Sequence, residues 1–296
     1  MKAAPFAYAR PASLAEALAE LARSDGGGKV ISGGQSLVPV LAMRLARPDV
    51  LVDINGIAEL GRVERSGGFA EIGATVRQRT VERDPVSAEV PLLGMALPWV
   101  GHRELRSRGT VCGSLAHADP AAELPAVACC LDASLTLTGQ DGERQVAARD
   151  FFAGAMMTAL GPGDVLTSVR FPLAGPGDGY GFAEIARRHG DFALAGVAVH
   201  VNAAGREPSA VLTGFGISDR PVTRSVGREL AEALDSGDLE TALRSRLADA
   251  VQDMVDTEGD VHASRDYRRR LFGVLASREL TKAYTRARGR DADDHE

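Results

Sequence analysis

Ser32-Gly33-Gly34-Gln35-Ser36-Leu37 lies between the short apolar run Lys29-Val30-Ile31 and a helical pattern that extends from Leu37 to Leu45. A strand, a double-glycine turn and a helix start therefore follow one another directly. Adjacent glycines let the backbone turn sharply and approach a ligand with no Cβ in the way. Amides on such a turn, together with the next helix N-terminus, form an anion site. No Lys or Arg occurs between Ser32 and Val40, so an anion held here is held by peptide dipoles. One exposed helix end contributes only about 0.3–1 kcal/mol, so several donors have to converge. The same residues are equally compatible with a tight turn that binds nothing, because short glycine motifs recur without ligands.

Ser13-Leu14-Ala15-Glu16 fits a capping box, and Leu14, Leu18 and Leu21 share one face of the helix it opens. That helix ends at the loop Asp25–Gly28. Pro39 is tolerated in the first turn of the helix after the glycines, and Asp49–Ile54 reads as a second strand closed by Asn55-Gly56. Two helices and two strands thus alternate within the first 56 residues, as in an α/β unit. Further on, Arg62–Arg65 and Phe69–Ile72 read as paired strands, Thr75 as the cap of a helix over Val76–Arg83, and Pro91–Val100 and Glu123–Leu131 as helices. Ser134–Thr138 and Glu143–Ala148 form a hairpin pattern, and Val165–Phe171 is a strand stopped by Pro172. The turn-rich stretch Ala174–Gly179 marks a linker. Three strands (Tyr180–Arg187, Ala193–Asn202, Ser209–Ile217) and three helical patterns (Arg224–Leu234, Leu239–Val255, Ser264–Ala287) follow, the order expected of an α+β domain.

A second small, hydroxyl-rich glycine segment, Gly109-Thr110-Val111-Cys112-Gly113-Ser114, also lacks cations. Two separated backbone cradles suit a dinucleotide, which has two ends and a pyrophosphate centre. Neither matches G-x-G-x-x-G within a strand–helix unit followed by an acidic residue, which argues against a nicotinamide-type Rossmann site.

The composition narrows the function further. The 296 residues carry a net charge of −6 with a pI near 5.6, which argues against nucleic acid as the main partner. Arg268-Arg269-Arg270 is the best basic run and reads as a solvated helix face. Met1–Arg10 lacks the apolar core of a secretory signal, and no stretch approaches the ~18 apolar residues of a membrane span. Cys112, Cys129 and Cys130 are the three cysteines. They read as buried structural thiols of a cytoplasmic protein, too few for a four-thiolate iron–sulfur cluster on this chain alone.

Taken together, these segments resemble the FAD-binding medium subunit of the xanthine dehydrogenase and carbon monoxide dehydrogenase family of molybdenum hydroxylases. The resemblance covers nearly the whole chain. It runs through Phe6-x-Tyr8-x-Arg10-Pro11, the two glycine segments, Leu51-Val52-Asp53-Ile54-Asn55 and Ile72-Gly73-Ala74-Thr75. It continues in Asp119-Pro120-Ala121-Ala122-Glu123 and Arg187-Arg188-His189-Gly190-Asp191-Phe192-Ala193.

The resemblance implies an α+β chain: a two-subdomain FAD-binding fold of the PCMH type (residues 1–56 and 57–173), then a C-terminal α+β domain with a three-stranded antiparallel sheet and helices (180–287), and a flexible tail (288–296). It implies that Ser32, Gly33, Gly34, Gln35, Ser36 and Leu37, with Thr110, Val111, Cys112, Gly113 and Ser114, hold the FAD pyrophosphate. Val100 and Leu166 would line the flavin or adenine, and Glu123 matches an acidic position that approaches the cofactor. Two departures stand out. The second cradle often reads Gly-Gly-Asn in the family where Cys112-Gly113-Ser114 stands here, and a flavin-contacting Lys of some relatives falls at Glu184.

The family arrangement further implies two partners, a small [2Fe–2S] subunit and a large molybdopterin subunit, assembled as a dimer of heterotrimers. Electrons would pass from the clusters to FAD and on to NAD, a quinone or oxygen. The isoalloxazine carries that redox chemistry, so no catalytic acid–base residue and no metal ligand is expected of this chain. A stand-alone FAD-dependent oxidoreductase and a non-enzymatic nucleotide-binding assembly subunit are the competing readings. Among other candidates, His117 and Asp119 suit loop capping better than acid–base work. His102 suits a solvent-exposed loop, Trp99 suits packing, and His189 and Asp191 suit a domain interface.

Overall fold

The computed structural model of the chain describes residues 2–293. It divides into two compact units that interleave along the sequence. One comprises Met1–Ala88, His102–Ala118 and Ala133–Pro172; the other comprises Glu89–Gly101, Asp119–Asp132 and Leu173–Glu296.

The first unit opens with a three-stranded parallel sheet, β1 (Ala7–Ala9), β2 (Gly28–Ile31) and β3 (Val50–Asp53), in the order β1-β3-β2. Parallel strands need a crossover between them, and the helix Leu14–Arg23 supplies the one from β1 to β2. Its capping box is present: Ser13 Oγ accepts from Glu16 N at 3.2 Å, while the Glu16 carboxylate reaches back to Ala12 N at 2.8 Å. Ala17 and Leu21 are its buried residues. The expected strands and helices of this region form, and β1 is additional. At three residues, partly exposed and without an alternating pattern, it is defined only by pairing with β3 in the register Ala7↔Val50.

A five-stranded antiparallel sheet follows: β4 (Val63–Ser66), β5 (Phe69–Gly73), β6 (Ser134–Gly139), β7 (Gly142–Ala147) and β10 (Val165–Pro172), in the order β4-β5-β10-β6-β7. A small hairpin, β8 (Phe152–Gly154) with β9 (Met157–Thr158), lies between β7 and β10 in the chain. Ile72, Leu135, Leu137, Phe151, Val169 and Phe171 are fully buried and form the apolar side of this layer. Thr75 does not cap a long helix. The helix is the single turn Gln78–Val81, preceded by Arg77 in extended conformation, because Arg77 is held in an antiparallel bridge to Thr110.

The second unit is built on the antiparallel sheet β11 (Asp178–Ala186), β12 (Ala193–Asn202), β13 (Ser209–Phe215) and β14 (Val222–Ser225), paired in sequence order. The expectation of three strands is thereby corrected to four. β14 is short and mostly exposed, so no apolar alternation announces it; its pairing to β13 includes a Thr213–Thr223 hydroxyl contact of 2.9 Å. The helix Arg265–Asp293 packs on one face of the sheet. Glycines on β11 make room for it: a Cβ on Gly181 would lie 2.7 Å from Glu279 O. Helices Pro91–Ala96 and Glu123–Cys130 also pack against this sheet, which is why both segments leave the first unit. Burying an apolar helix face contributes about 25 cal/mol per Å², and Leu92, Leu93, Leu124 and Val127 are all fully buried.

The Ala174–Gly179 linker is tied down at its end. Asp178 accepts from Gly175 N, His200 Nε2 and Asn202 Nδ2, each at 2.8 Å. Burial opposes the charged form, but these bonds outweigh it and lower the Asp178 pKa to about 2. Arg268 departs from the solvated basic face expected of its run. It is 7% exposed, and one Nη donates to Leu194 O and Gly216 O at 2.6 Å while the other meets Asp260 Oδ2 at 2.7 Å. The long helix carries residues 288–293 of the expected tail, and 294–296 lie outside the described residues. Among the described residues, no helix is long and apolar enough to cross a membrane.

Candidate FAD-binding site

Both glycine segments belong to the first unit, and their backbones meet there. A Cβ added to Gly33 would lie 2.5 Å from the Arg108 carbonyl oxygen and 2.8 Å from Gly109 Cα. Real Cβ atoms do not make such contacts, so only glycine allows the two loops to touch.

The first loop leaves β2 and turns at Gly34, whose φ of +73° lies in the left-handed region that glycine adopts without strain. Val38 N donates to Gly34 O at 2.9 Å as the helix Leu37–Ala42 begins. Ser32 Oγ donates to Ala74 O at 3.2 Å, and the Gln35 side-chain amide folds back onto Gly33 O at 3.3 Å. These side chains brace the turn. Ser36 is exposed and Leu37 half-buried.

The second loop leads into the helix Val111–His117. Thr110 is its N-cap: Oγ1 accepts from Gly113 N at 3.1 Å. A Cβ on Gly113 would lie 2.5 Å from that oxygen, so this glycine keeps the cap intact. Val111 and Cys112 turn their side chains inward. Cys112 Sγ donates to Ile72 O at 3.5 Å, and burial pushes the thiol pKa up to about 12. Cys112 can thus offer a ligand only its backbone, as can Val111, while Ser114 stays half-buried beside the loop.

Leu166 is in the same unit, buried on β10 opposite Leu137 and just before an irregularity in the pairing with β6. Val100, Glu123 and Glu184 belong to the second unit. Glu184, on β11, is 4% exposed, and neither carboxylate oxygen has a hydrogen-bond partner. Burial, with the negative charge of Glu123 as a second cause, raises its pKa to about 8. Glu123 begins the helix Glu123–Cys130 and is 8% exposed; Val100 is half-buried. Trp99 stacks on His189 with ring centroids 5.9 Å apart. Asp119 Oδ1 accepts from Ala121 N at 2.9 Å, a loop cap, and His102 is exposed.

Asn55, Arg77 and Gln78 surround the joined loops although sequence reasoning assigned none of them a role. Asn55 Nδ2 donates to Ser32 O, Arg77 to Arg108 O, and Gln78 N to Gly109 O. The available signal was positional: Asn55 closes one resemblance motif, and Arg77 and Gln78 follow another.

The residues present fit FAD. Two glycine turns in close backbone approach, one with a left-handed glycine and one with a capped helix start, offer a pyrophosphate backbone rather than cationic side chains. Their side chains brace the loops and bring no cation into either.

Comparisons with known proteins identify the family. Residues 4–174 match the FAD binding domain in molybdopterin dehydrogenase, and residues 180–283 match the CO dehydrogenase flavoprotein C-terminal domain. The chain is 35% identical to the 6-hydroxypseudooxynicotine dehydrogenase complex subunit alpha of Paenarthrobacter nicotinovorans, covering 100% of both chains. It is 33% identical to the carbon monoxide dehydrogenase medium chain of Afipia carboxidovorans, over 96% of this chain and 98% of that one. Among solved structures, carbon monoxide dehydrogenase from Hydrogenophaga pseudoflava superposes with a TM-score of 0.88 at 32% identity, over 97% and 99% of the two chains. Quinoline 2-oxidoreductase from Pseudomonas putida 86 gives 0.87 at 34%, over 98% and 100%. The chain belongs to the family of FAD-binding medium subunits of the molybdenum hydroxylases.

Proposed function

We propose that this chain is the electron-transfer subunit of a multi-subunit molybdenum hydroxylase. It takes electrons from the [2Fe–2S] clusters of a small partner, which receives them from a molybdopterin subunit, and passes them to NAD, a quinone or oxygen. The observation that carries this reading is the backbone contact between the two cation-free glycine loops, within a chain that aligns with named medium subunits over 96–97% of its length. Bound there, FAD supplies two-electron redox chemistry at its isoalloxazine; the chain supplies position and surroundings. Ser32–Leu37 and Thr110–Ser114 hold the phosphates in this proposal, and Val100, Leu166, Glu123 and Glu184 are assigned to the rest of the cofactor on the family resemblance.

The names of the relatives support a division of labour. Proteins named for carbon monoxide, nicotine and caffeine align along 96–97% of this chain. A scaffold shared across such different molecules is expected to serve a common electron path, with substrate choice made on another subunit.

The test is purification of the tagged full-length chain from its native host, with cofactor spectra of everything retained. Co-purification with an iron–sulfur and a molybdenum subunit, and a flavin band near ~450 nm, is the expected result. A yellow, active homomer without partners would replace the proposal with a stand-alone flavoenzyme. A chain that takes up no FAD would point to a non-catalytic assembly subunit.

A further inference from the structure

The two glycine loops come from opposite sides of a long sequence interval, and a Cβ-free contact alone does not fix their spacing. One polar chain does. Asn55 Nδ2 donates to Ser32 O at 2.9 Å, and its Oδ1 accepts from Arg77 Nη2 at 2.7 Å. The other terminal nitrogen of Arg77 donates to Arg108 O at 2.6 Å. The planar guanidinium fork therefore spans from one loop's anchor to the other loop's carbonyl. We infer that Arg77 and Asn55 are positioning residues for FAD, a clamp that sets the distance and peptide orientation of the two phosphate loops.

Each end of the clamp is itself held. The Asn55 side chain also donates to Asp53 Oδ1 at 2.6 Å, the same oxygen accepts from Asn55 N at 2.9 Å, and the Tyr8 hydroxyl donates to the other Asp53 oxygen. Arg77 is bridged to Thr110, and Gln78 N donates to Gly109 O at 2.8 Å. Fixing the Ser32 carbonyl has a consequence at the ligand side. In a trans peptide the N–H points opposite to the C=O, so anchoring Ser32 O directs the Gly33 N–H away from Asn55. Loops that carry no cation depend on such orientation, because a dipole turned away contributes nothing to an anion.

The clamp rests on the FAD reading, and one experiment separates the two. Full-length wild type, Asn55→Ala, Arg77→Ala, the double variant and Arg77→Lys are titrated with FAD, alongside melting curves of the FAD-free proteins. Loss of a charge-assisted bond predicts a rise in Kd on the order of ten-fold or more for each single variant. The double variant is expected to bind no worse than the weaker single one, because both cut the same chain. Arg77→Lys keeps the charge but not the fork, so it should fall between wild type and Arg77→Ala, and it serves if the alanine variant does not fold. Folded variants with Kd within about two-fold of wild type, or effects that multiply in the double variant, would overturn the clamp. A wild type that binds no FAD would instead overturn the FAD reading.

Discussion

Gly33 faces the carbonyl oxygen of Arg108 so closely that a Cβ on the glycine would lie 2.5 Å from it. The two loops share a wall of bare backbone. Gly33→Ala should therefore drive them apart, and Gly34→Val should fail for a different reason, the φ of +73° at that turn. A valine there is strained whatever space it has. We expect purified Gly33→Ala to retain a small fraction of the wild-type flavin, read as the ratio of absorbance at ~450 to 280 nm, while circular dichroism reports an intact fold. Full flavin occupancy in a folded Gly33→Ala would contradict the shared-wall geometry.

Thr110 caps the helix of the second loop through Gly113 N. Thr110→Val keeps the volume and removes the acceptor, which for an N-cap costs about 1 kcal/mol. Denaturant unfolding should show that loss, and FAD affinity should fall in parallel, because the cap orients the loop's amides. Thr110→Ser should restore both.

Glu184 holds its proton far more tightly when folded, with a pKa near 8 against an ordinary 4.5. Between those values the folded chain binds more protons than the unfolded one, so stability falls as pH rises through this window and levels off above it. Glu184→Gln is neutral throughout and should remove that part of the slope. Unfolding midpoints at pH 5 to 9 for both proteins test this; parallel curves would show that Glu184 is ionised in the fold.

Arg268 supports the second unit. Arg268→Ala leaves the Leu194 and Gly216 carbonyls without their shared donor. Each unsatisfied buried group costs about 1–3 kcal/mol, so we expect destabilisation by roughly 2–5 kcal/mol in chemical denaturation. Arg269→Ala, whose Nη1 donates to the 88%-exposed Asp266 side chain, should change little by the same measure.

The glycine loops were legible because their signal is local. A double glycine between a strand run and a helix run states a turn, and the absence of Lys and Arg states that any anion held there would be held by backbone. The same holds for the capping box at Ser13 and the hairpin strands β6 and β7, whose patterns repeat within a few residues. β1 and β14 were not legible. Each is three or four residues long and is defined by the strand beside it, Ala7 by Val50 and Thr223 by Thr213.

By itself, then, the sequence determined an α+β chain with two cation-free glycine loops and, through its motifs, the family. Only the tertiary structure decided that those loops touch, that Arg77 and Asn55 join them, that Arg268 is buried and that Glu184 has no partner. It also decided that Pro91–Ala96 and Glu123–Cys130 pack on the C-terminal sheet. The physical reason is one of range: periodicity and glycine placement report a residue's own backbone, whereas burial, ion pairing and loop contact depend on partners tens of residues away. The double glycine could announce a cradle, and it took Arg108 and Arg77 to show what the cradle is closed against.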